Sequence, residues 1–140
     1  MTTQSETLPI LLLRAREKAI SYVRPVLADL DLTEQQWRVI RALFMHEALN
    51  TQQLAESTCI LGPSLSRILA KLDSDGVIVR KADAADQRVV NIRLSAKGKR
   101  THQRIFKSMS KQYQQFSSDM GAAKVEKLNN LLMEFVGQAD

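Results

Sequence analysis

Asp86-Gln87-Arg88-Val89-Val90-Asn91-Ile92-Arg93-Leu94-Ser95-Ala96-Lys97-Gly98 changes character twice along its length. A polar, charged tip comes first. Val90, Ile92 and Leu94 then alternate with Asn91 and Arg93, the period-two pattern of a half-buried strand. Ser95 follows, a helix-capping residue at the head of a long helical pattern. Upstream, Val77-Ile78-Val79 reads as a second short strand, and the loop from Ala82 to Arg88 joins the two as a hairpin. Before the hairpin the period is helical: Leu65, Ile68, Leu69 and Leu72 stand at i, i+3, i+4 and i+7. Gly62-Pro63 opens this helix, with proline at the favoured first position. Gly76, after Asp75, stands where a left-handed cap belongs.

Further outward, two starts repeat one device. Thr33 with Gln36, and Asn50 with Gln53, are spaced as capping boxes, and Leu32/Trp37 and Leu49/Leu54 are spaced as hydrophobic staples. The first opens a helix to about His46 with Trp37, Ile40, Leu43 and Phe44 inward; the second opens a short helix ending near Thr58. Residues 8–29 carry two apolar stripes, Leu8-Leu12-Ala15-Ala19-Tyr22-Val26 and Leu13-Ile20-Val23-Leu27, so this helix is expected to be buried by more than one neighbour, with a kink at Pro25. After Ser95 a helix runs to about Ser118, Gly121 breaks it, and a last helix carries Val125, Leu128, Leu131, Leu132, Phe135 and Val136. Three helices followed by a two-stranded hairpin make a winged helix-turn-helix. The expected fold is mainly α: a winged helix-turn-helix over 33–95 with a two-stranded β wing, and terminal dimerisation helices over 1–32 and 96–140.

The chain has 140 residues, 44% of them hydrophobic, enough for a core and against disorder. One cysteine excludes an intrachain disulfide framework, and two histidines leave little for a metal, so no metal or cofactor is expected. His46 and His102 read as surface or helix-end residues. No Gly-rich phosphate loop, nucleophile elbow or HExxH pair points to an enzyme. No apolar run approaches the ~18 residues of a spanning helix. The polar opening, Met1 to Thr7, has no basic residue and does not read as a signal peptide, so the expected compartment is the cytoplasm, with no membrane partner.

The formal charge of +5 is uneven. Residues 1–61 sum to −1, residues 62–100 to +5 and residues 101–140 to +1. A localised basic zone suits a polyanion, because each neutralised phosphate releases counterions. A solvated basic face without a partner would carry the same charge.

The helix of residues 63–74 favours the first reading. Opposite its apolar stripe lie Pro63, Arg67, Ala70 and Ser74, flanked by Ser64, Ser66 and Lys71. Small residues let a helix approach base edges, Arg67 can donate two bonds to a guanine, and the serines and Lys71 can reach phosphates. The face has no acid before Asp73, unlike an ordinary solvent face. In the hairpin, Arg80 precedes the tip and Arg88 can enter the minor groove. Asp86, two residues from Arg88 and expected on the same face of a strand, would hold the guanidinium in place. An ordinary surface ion pair is the plainer alternative. The partner implied is double-stranded DNA.

These residues resemble the MarR family of bacterial transcription regulators over nearly the whole chain. The tip, strand and cap of residues 86–98 are similar to the family's D-x-R wing and S/T-x-x-G helix start. Ser64-Leu65-Ser66-Arg67-Ile68-Leu69-Ala70-Lys71-Leu72 resembles its recognition helix. A narrower likeness, to the homoprotocatechuate-degradation regulators of that family, rests on Leu13-Arg14-Ala15-Arg16-Glu17, Tyr22-Val23-Arg24-Pro25, Leu32-Thr33-Glu34-Gln35-Gln36-Trp37-Arg38 and residues 59–65. The resemblance implies a homodimer on a palindromic operator, usually repressing, and often released by a small phenolic or aromatic acid.

The chain itself supports pairing, since its terminal helices are more apolar than one small core needs. Arg16 falls on the Leu13-Ile20-Val23-Leu27 stripe, where a charge must be paired or line a cavity. It is the candidate receiver of an aromatic acid's carboxylate, with Trp37 and Arg38 as neighbours; a permanent salt bridge to an acid such as Glu34, or across the dimer, is the alternative. Cys59 could sense redox state, but ending the run Cys59-Ile60-Leu61 it reads as a small buried core residue. A winged-helix module that binds protein is the remaining alternative.

Overall fold

The computed structural model describes residues 7–137; residues 1–6, most of the polar opening stretch, and 138–140 lie outside the described residues. The elements in chain order are α1 (Leu8–Ser21), α2 (Arg24–Asp29), α3 (Glu34–His46), β1 (Leu49–Asn50), α4 (Thr51–Thr58), α5 (Gly62–Ser74), β2 (Ile78–Ala82), β3 (Val90–Leu94), α6 (Ala96–Met120) and α7 (Ala122–Val136). Helix dominates, as the sequence predicts, and three helices lead into a hairpin. The sheet has three antiparallel strands in the order β1-β3-β2, one more than predicted. The additional strand is two residues long, pairing Leu49 with Ile92 and Asn50 with Asn91.

Both predicted capping boxes are present. Thr33 Oγ1 accepts from the Gln36 N–H and Gln36 Oε1 from the Thr33 N–H, each at 3.0 Å. Asn50 Oδ1 accepts from the Gln53 N–H at 2.8 Å, and Gln53 Oε1 from the Asn50 N–H at 2.9 Å. Each cap satisfies orphan donors, and losing one costs ~1 kcal/mol.

The fold divides into two compact units, residues 24–107 and residues 7–23 with 108–137. In the first, α3, α4, α5 and the sheet enclose a core of Val39, Ile40, Leu43, Leu54, Leu65, Leu69, Leu72, Ile78, Ile92 and Leu94. Each such side chain contributes about 1.5–3 kcal/mol by leaving water. Val26 and Leu27 of α2 and Ile105 of α6 are buried too. Trp37 is half-buried, but Phe44, expected inward, is 47% exposed. Its ring instead stacks on the His102 ring, with centroids 3.7 Å apart.

Two departures have local causes. The single kinked helix expected over 8–29 is two helices, broken at Tyr22 and Val23. Pro25 lies in the first turn of α2, where its missing N–H costs nothing; the helix ends before the proline rather than bending at it. β2 begins one residue later than predicted, because Val77 still belongs to the α5 cap. Its N–H reaches the Leu72 carbonyl at 2.9 Å while Gly76, at φ 73°, turns the chain. In α5 proline occupies the second position, after Gly62.

In the second unit, Ile20 and Val125 are buried. The Tyr22 hydroxyl donates to Asp119 Oδ2 at 3.2 Å, and its ring meets Phe116 edge-on at 5.3 Å. Most apolar side chains of α1 and α7 face outward. Ile10, Leu11, Leu13, Leu131, Met133 and Phe135 are all more than half exposed. Among the described residues no helix is long and apolar enough to cross a membrane.

Candidate nucleic-acid interface

Burying Leu65, Leu69 and Leu72 points the opposite face of α5 at solvent. Pro63, Ser66, Arg67, Ala70 and Lys71 are exposed and Ser64 is half-buried. Arg67 has no ion pair or hydrogen bond among the described residues. Lys71 pairs with Asp75 at 3.3 Å, and Arg80 of β2 with Asp73 at 3.5 Å. Both pairs are solvent-exposed, so each is worth little and is readily exchanged. Among the described residues α5 therefore presents Arg67 unpaired and Lys71 loosely held, and β2 presents Arg80 loosely held with Lys81 exposed beside it.

The wing is more ordered than its sequence suggests. Asp86 and Arg88 do not share a strand face, as β3 begins only at Val90. They form a turn: the Asp86 carbonyl accepts from the Val89 N–H at 3.0 Å, and Asp86 Oδ1 from the Arg88 N–H at 3.1 Å. This is the local carboxylate-to-backbone bonding that suits aspartate to turns. The same carboxylate grips the guanidinium with two bonds, Arg88 Nε to Oδ1 at 3.1 Å and Nη2 to Oδ2 at 3.2 Å. The fork is the geometry a planar guanidinium prefers. The Arg88 side chain is nevertheless 91% exposed. The fork, with help from the Arg88 N–H, holds the Asp86 carboxyl below the usual carboxylate range. Arg88 is thus aimed but uncovered.

Behind the hairpin, Ser95 fixes the start of α6. Its N–H donates to the Val77 carbonyl at 3.0 Å, its hydroxyl donates to the Gly76 carbonyl, and its Oγ accepts from the Gly98 N–H at 3.0 Å. A side chain at Gly98 has no room, since a Cβ there would stand 2.1 Å from the Val77 carbonyl oxygen.

The three residues singled out for a ligand divide between the units. Arg16 lies in α1, exposed rather than confined by its stripe, with Nη1 3.7 Å from Glu17. Only the C-terminal part of that stripe, Ile20 and Leu27, is buried. Trp37 and Arg38 lie on α3. Arg38 Nη1 donates to the Thr58 carbonyl at 2.7 Å and its Nε stands 3.6 Å from Glu34, so this guanidinium ties α3 to the end of α4. An open recess of about 350 Å³ is lined by Tyr113, Gln114, Ser117, Ser118, Gly121 and Ala122, none of the three among them.

Two further expectations are corrected. Cys59 is exposed, not a core residue. It ends α4 in the left-handed region at φ 56°, which turns its side chain outward and leaves Ile60 in the core. His102 is buried rather than a surface or helix-end residue, while His46 does end α3 at the surface. Burial, and then the charge of Arg41, push the His102 imidazole below its ordinary value. Its Nδ1 has no hydrogen-bond partner among the described residues. The sequence reading also passed over Asp83 and Asn91, which bond to each other inside the wing. Their only early signal was an acid and an amide flanking a tip built for a polyanion.

A family model, the MarR family, matches residues 32–90. Over 131 residues the chain is 38% identical to the homoprotocatechuate degradative operon repressor of Escherichia coli, covering 94% of this chain and 88% of that one. The solved transcriptional regulator PA4135 superposes with a TM-score of 0.92 at 40% identity, covering 95% and 98% of the two chains. NadR in complex with 4-hydroxyphenylacetate gives 0.82 at 37% identity and 91% of each chain. The transcriptional repressor CouR, bound to a 23-mer DNA duplex, gives 0.85 at 25% identity, covering 95% and 94%.

Proposed function

Because the chain belongs to the MarR family of transcription regulators, we propose that it acts in the cytoplasm as a homodimeric repressor of aromatic-compound catabolism, with no catalytic step of its own. It binds a palindromic operator and leaves it when a small aromatic carboxylic acid binds. The observation that carries this reading is the pairing of an unencumbered Arg67 on an outward face without acids before Asp73 with an Arg88 that is fixed by Asp86 yet uncovered.

In this reading α5 enters the major groove. Arg67 forks onto a guanine, Ser64 and Ser66 contact phosphates beside Pro63, and Lys71 and Arg80 exchange their carboxylates for phosphates. Arg88 enters the neighbouring minor groove, where the potential is most negative. The outward apolar residues of α1 and α7 support the dimer. A second copy covers them, and two-fold symmetry sets two recognition helices about 10 bp apart.

The effector class is supported by two similar proteins, a repressor named for homoprotocatechuate degradation and a structure holding 4-hydroxyphenylacetate. Arg16 is the proposed receiver of the acid's carboxylate on its own unit, and Trp37 and Arg38 are the proposed ligand residues of the other. The acid weakens operator binding by its preference for dimers with the wrong helix spacing, typically ~1–3 kcal/mol of coupling.

The test is fluorescence anisotropy on a duplex selected by the protein from a random library. Affinity should fall steeply with salt, and 4-hydroxyphenylacetate should release the parent but not Arg16→Ala. Indifference of the complex to aromatic acids, or equal release of the variant, overturns the effector assignment. Failure to select any duplex overturns the whole reading.

A further inference from the structure

We infer that Asp83 and Asn91 are positioning residues that aim Arg88 from the body of the helix-turn-helix. This rests on the DNA-binding reading above. Asp83 directly follows β2, and its N–H donates to the Val89 carbonyl at 2.8 Å, closing the base of the tip. One carboxylate oxygen, Oδ1, accepts from Asn91 Nδ2 at 3.1 Å. The other, Oδ2, accepts from the Asp86 N–H at 3.2 Å. Asp86 in turn grips Arg88 with both oxygens. Hydrogen bonds therefore run without a break from Asn91 through Asp83 and Asp86 to the guanidinium. Asn91 itself sits in the middle strand, in register with Asn50 of β1 on one side and Lys81 of β2 on the other. Asn50 is the residue whose side chain caps α4. The path thus begins on the frame of the helix-turn-helix and ends at the exposed arginine.

This explains two acids in a loop meant for phosphates. As free charges Asp83 and Asp86 oppose DNA. As acceptors they convert a flexible tip into a turn with one arginine pose, so less side-chain freedom is lost on binding. The two effects have opposite signs, and Asp83→Asn separates them. If only charge matters, removing an acid near the phosphates tightens binding and steepens its salt dependence. If Asp83 positions the tip, one end of the new amide cannot accept, one of the two bonds fails, and binding weakens despite the gained charge.

The experiment measures affinity for the library-selected duplex by anisotropy, with thermal melting in parallel, for the parent, Asp83→Asn, Asn91→Ala, Arg88→Ala and the two double variants with Arg88→Ala. The expected loss for Asp83→Asn and for Asn91→Ala is about three- to tenfold, tenfold being about 1.4 kcal/mol. Neither should weaken binding further once Arg88 is alanine, because residues acting through one group are not additive. A merely structural defect would lower affinity in both backgrounds and lower the melting temperature. Tighter or unchanged binding by Asp83→Asn, with Arg88→Ala still weakened, overturns the inference and leaves the DNA-binding reading intact. Losses that persist in the Arg88→Ala background also overturn it. Failure of the parent to select a duplex overturns both.

Discussion

Replacing Gly98 with alanine probes the joint on which the wing is mounted. The new Cβ would lie 2.1 Å from the Val77 carbonyl oxygen, 3.0 Å from Leu94 Cδ2 and 3.2 Å from Leu94 Cβ. Comfortable contacts begin near ~3.5 Å, so the carbonyl must retreat by more than an ångström. It is not free to do so, because it accepts the Ser95 N–H at 3.0 Å. Overpacking of this kind costs about 1–3 kcal/mol. Loss of the Ser95 bond adds about 1 kcal/mol. Alanine's better helix propensity returns about 1 kcal/mol. The net destabilisation is therefore roughly 1–3 kcal/mol, which in a domain of this size lowers the melting temperature by roughly 3–12 °C. Gly62→Ala is the internal control. Nothing lies within 4 Å of a Cβ there, so it should melt with the parent or slightly above it. Calorimetry on the three proteins decides. A Gly98→Ala variant as stable as the parent would refute the close approach of α6 to the Val77 carbonyl.

Two other perturbations follow from single side chains. His102 is held below its unfolded value of 6.5, so below pH 6.5 the unfolded chain takes up a proton the folded one resists. Stability should fall as pH drops from 7.5 to 5.5, and the fall should be smaller in His102→Phe; equal slopes by thermal melting would contradict the burial of the imidazole. Arg38→Ala removes the donor to the Thr58 carbonyl, and urea denaturation should show a loss of about 1.5–3 kcal/mol. Unchanged stability would mean the guanidinium does not brace the two helices.

What the sequence made legible was mostly local. Thr33/Gln36 and Asn50/Gln53 announce helix starts because a cap is complete within three residues. Leu65, Leu69 and Leu72 announce the face of α5 because a helix repeats every 3.6 residues. The Asp86–Arg88 fork was foreseen from a spacing of two, although a turn rather than a strand produces it. What escaped depends on partners distant in the chain. Leu49–Asn50 is a strand only because Ile92 and Asn91 lie beside it. Phe44 fits an inward stripe, yet its ring stacks on His102, more than fifty residues away. Arg80 of β2 looks like a free cation until Asp73 of α5 is found beside it, whereas the Lys71–Asp75 pair, at i,i+4, lay within reach of local spacing. Asp83 and Asn91 looked like loop and strand polarity, and their relation depends on the strand register.

Chemical footprinting on the selected duplex tests the central claim most directly, with dimethyl sulfate reporting guanine N7 in the major groove and hydroxyl radical reporting the minor-groove edge. Two symmetric major-groove protections about 10 bp apart are expected, flanked by minor-groove protections. Arg67→Ala should lose the guanine signal and Arg88→Ala the flanks. One unsymmetrical protected patch, or a footprint unchanged in both variants, would contradict a paired grip through α5 and the wing.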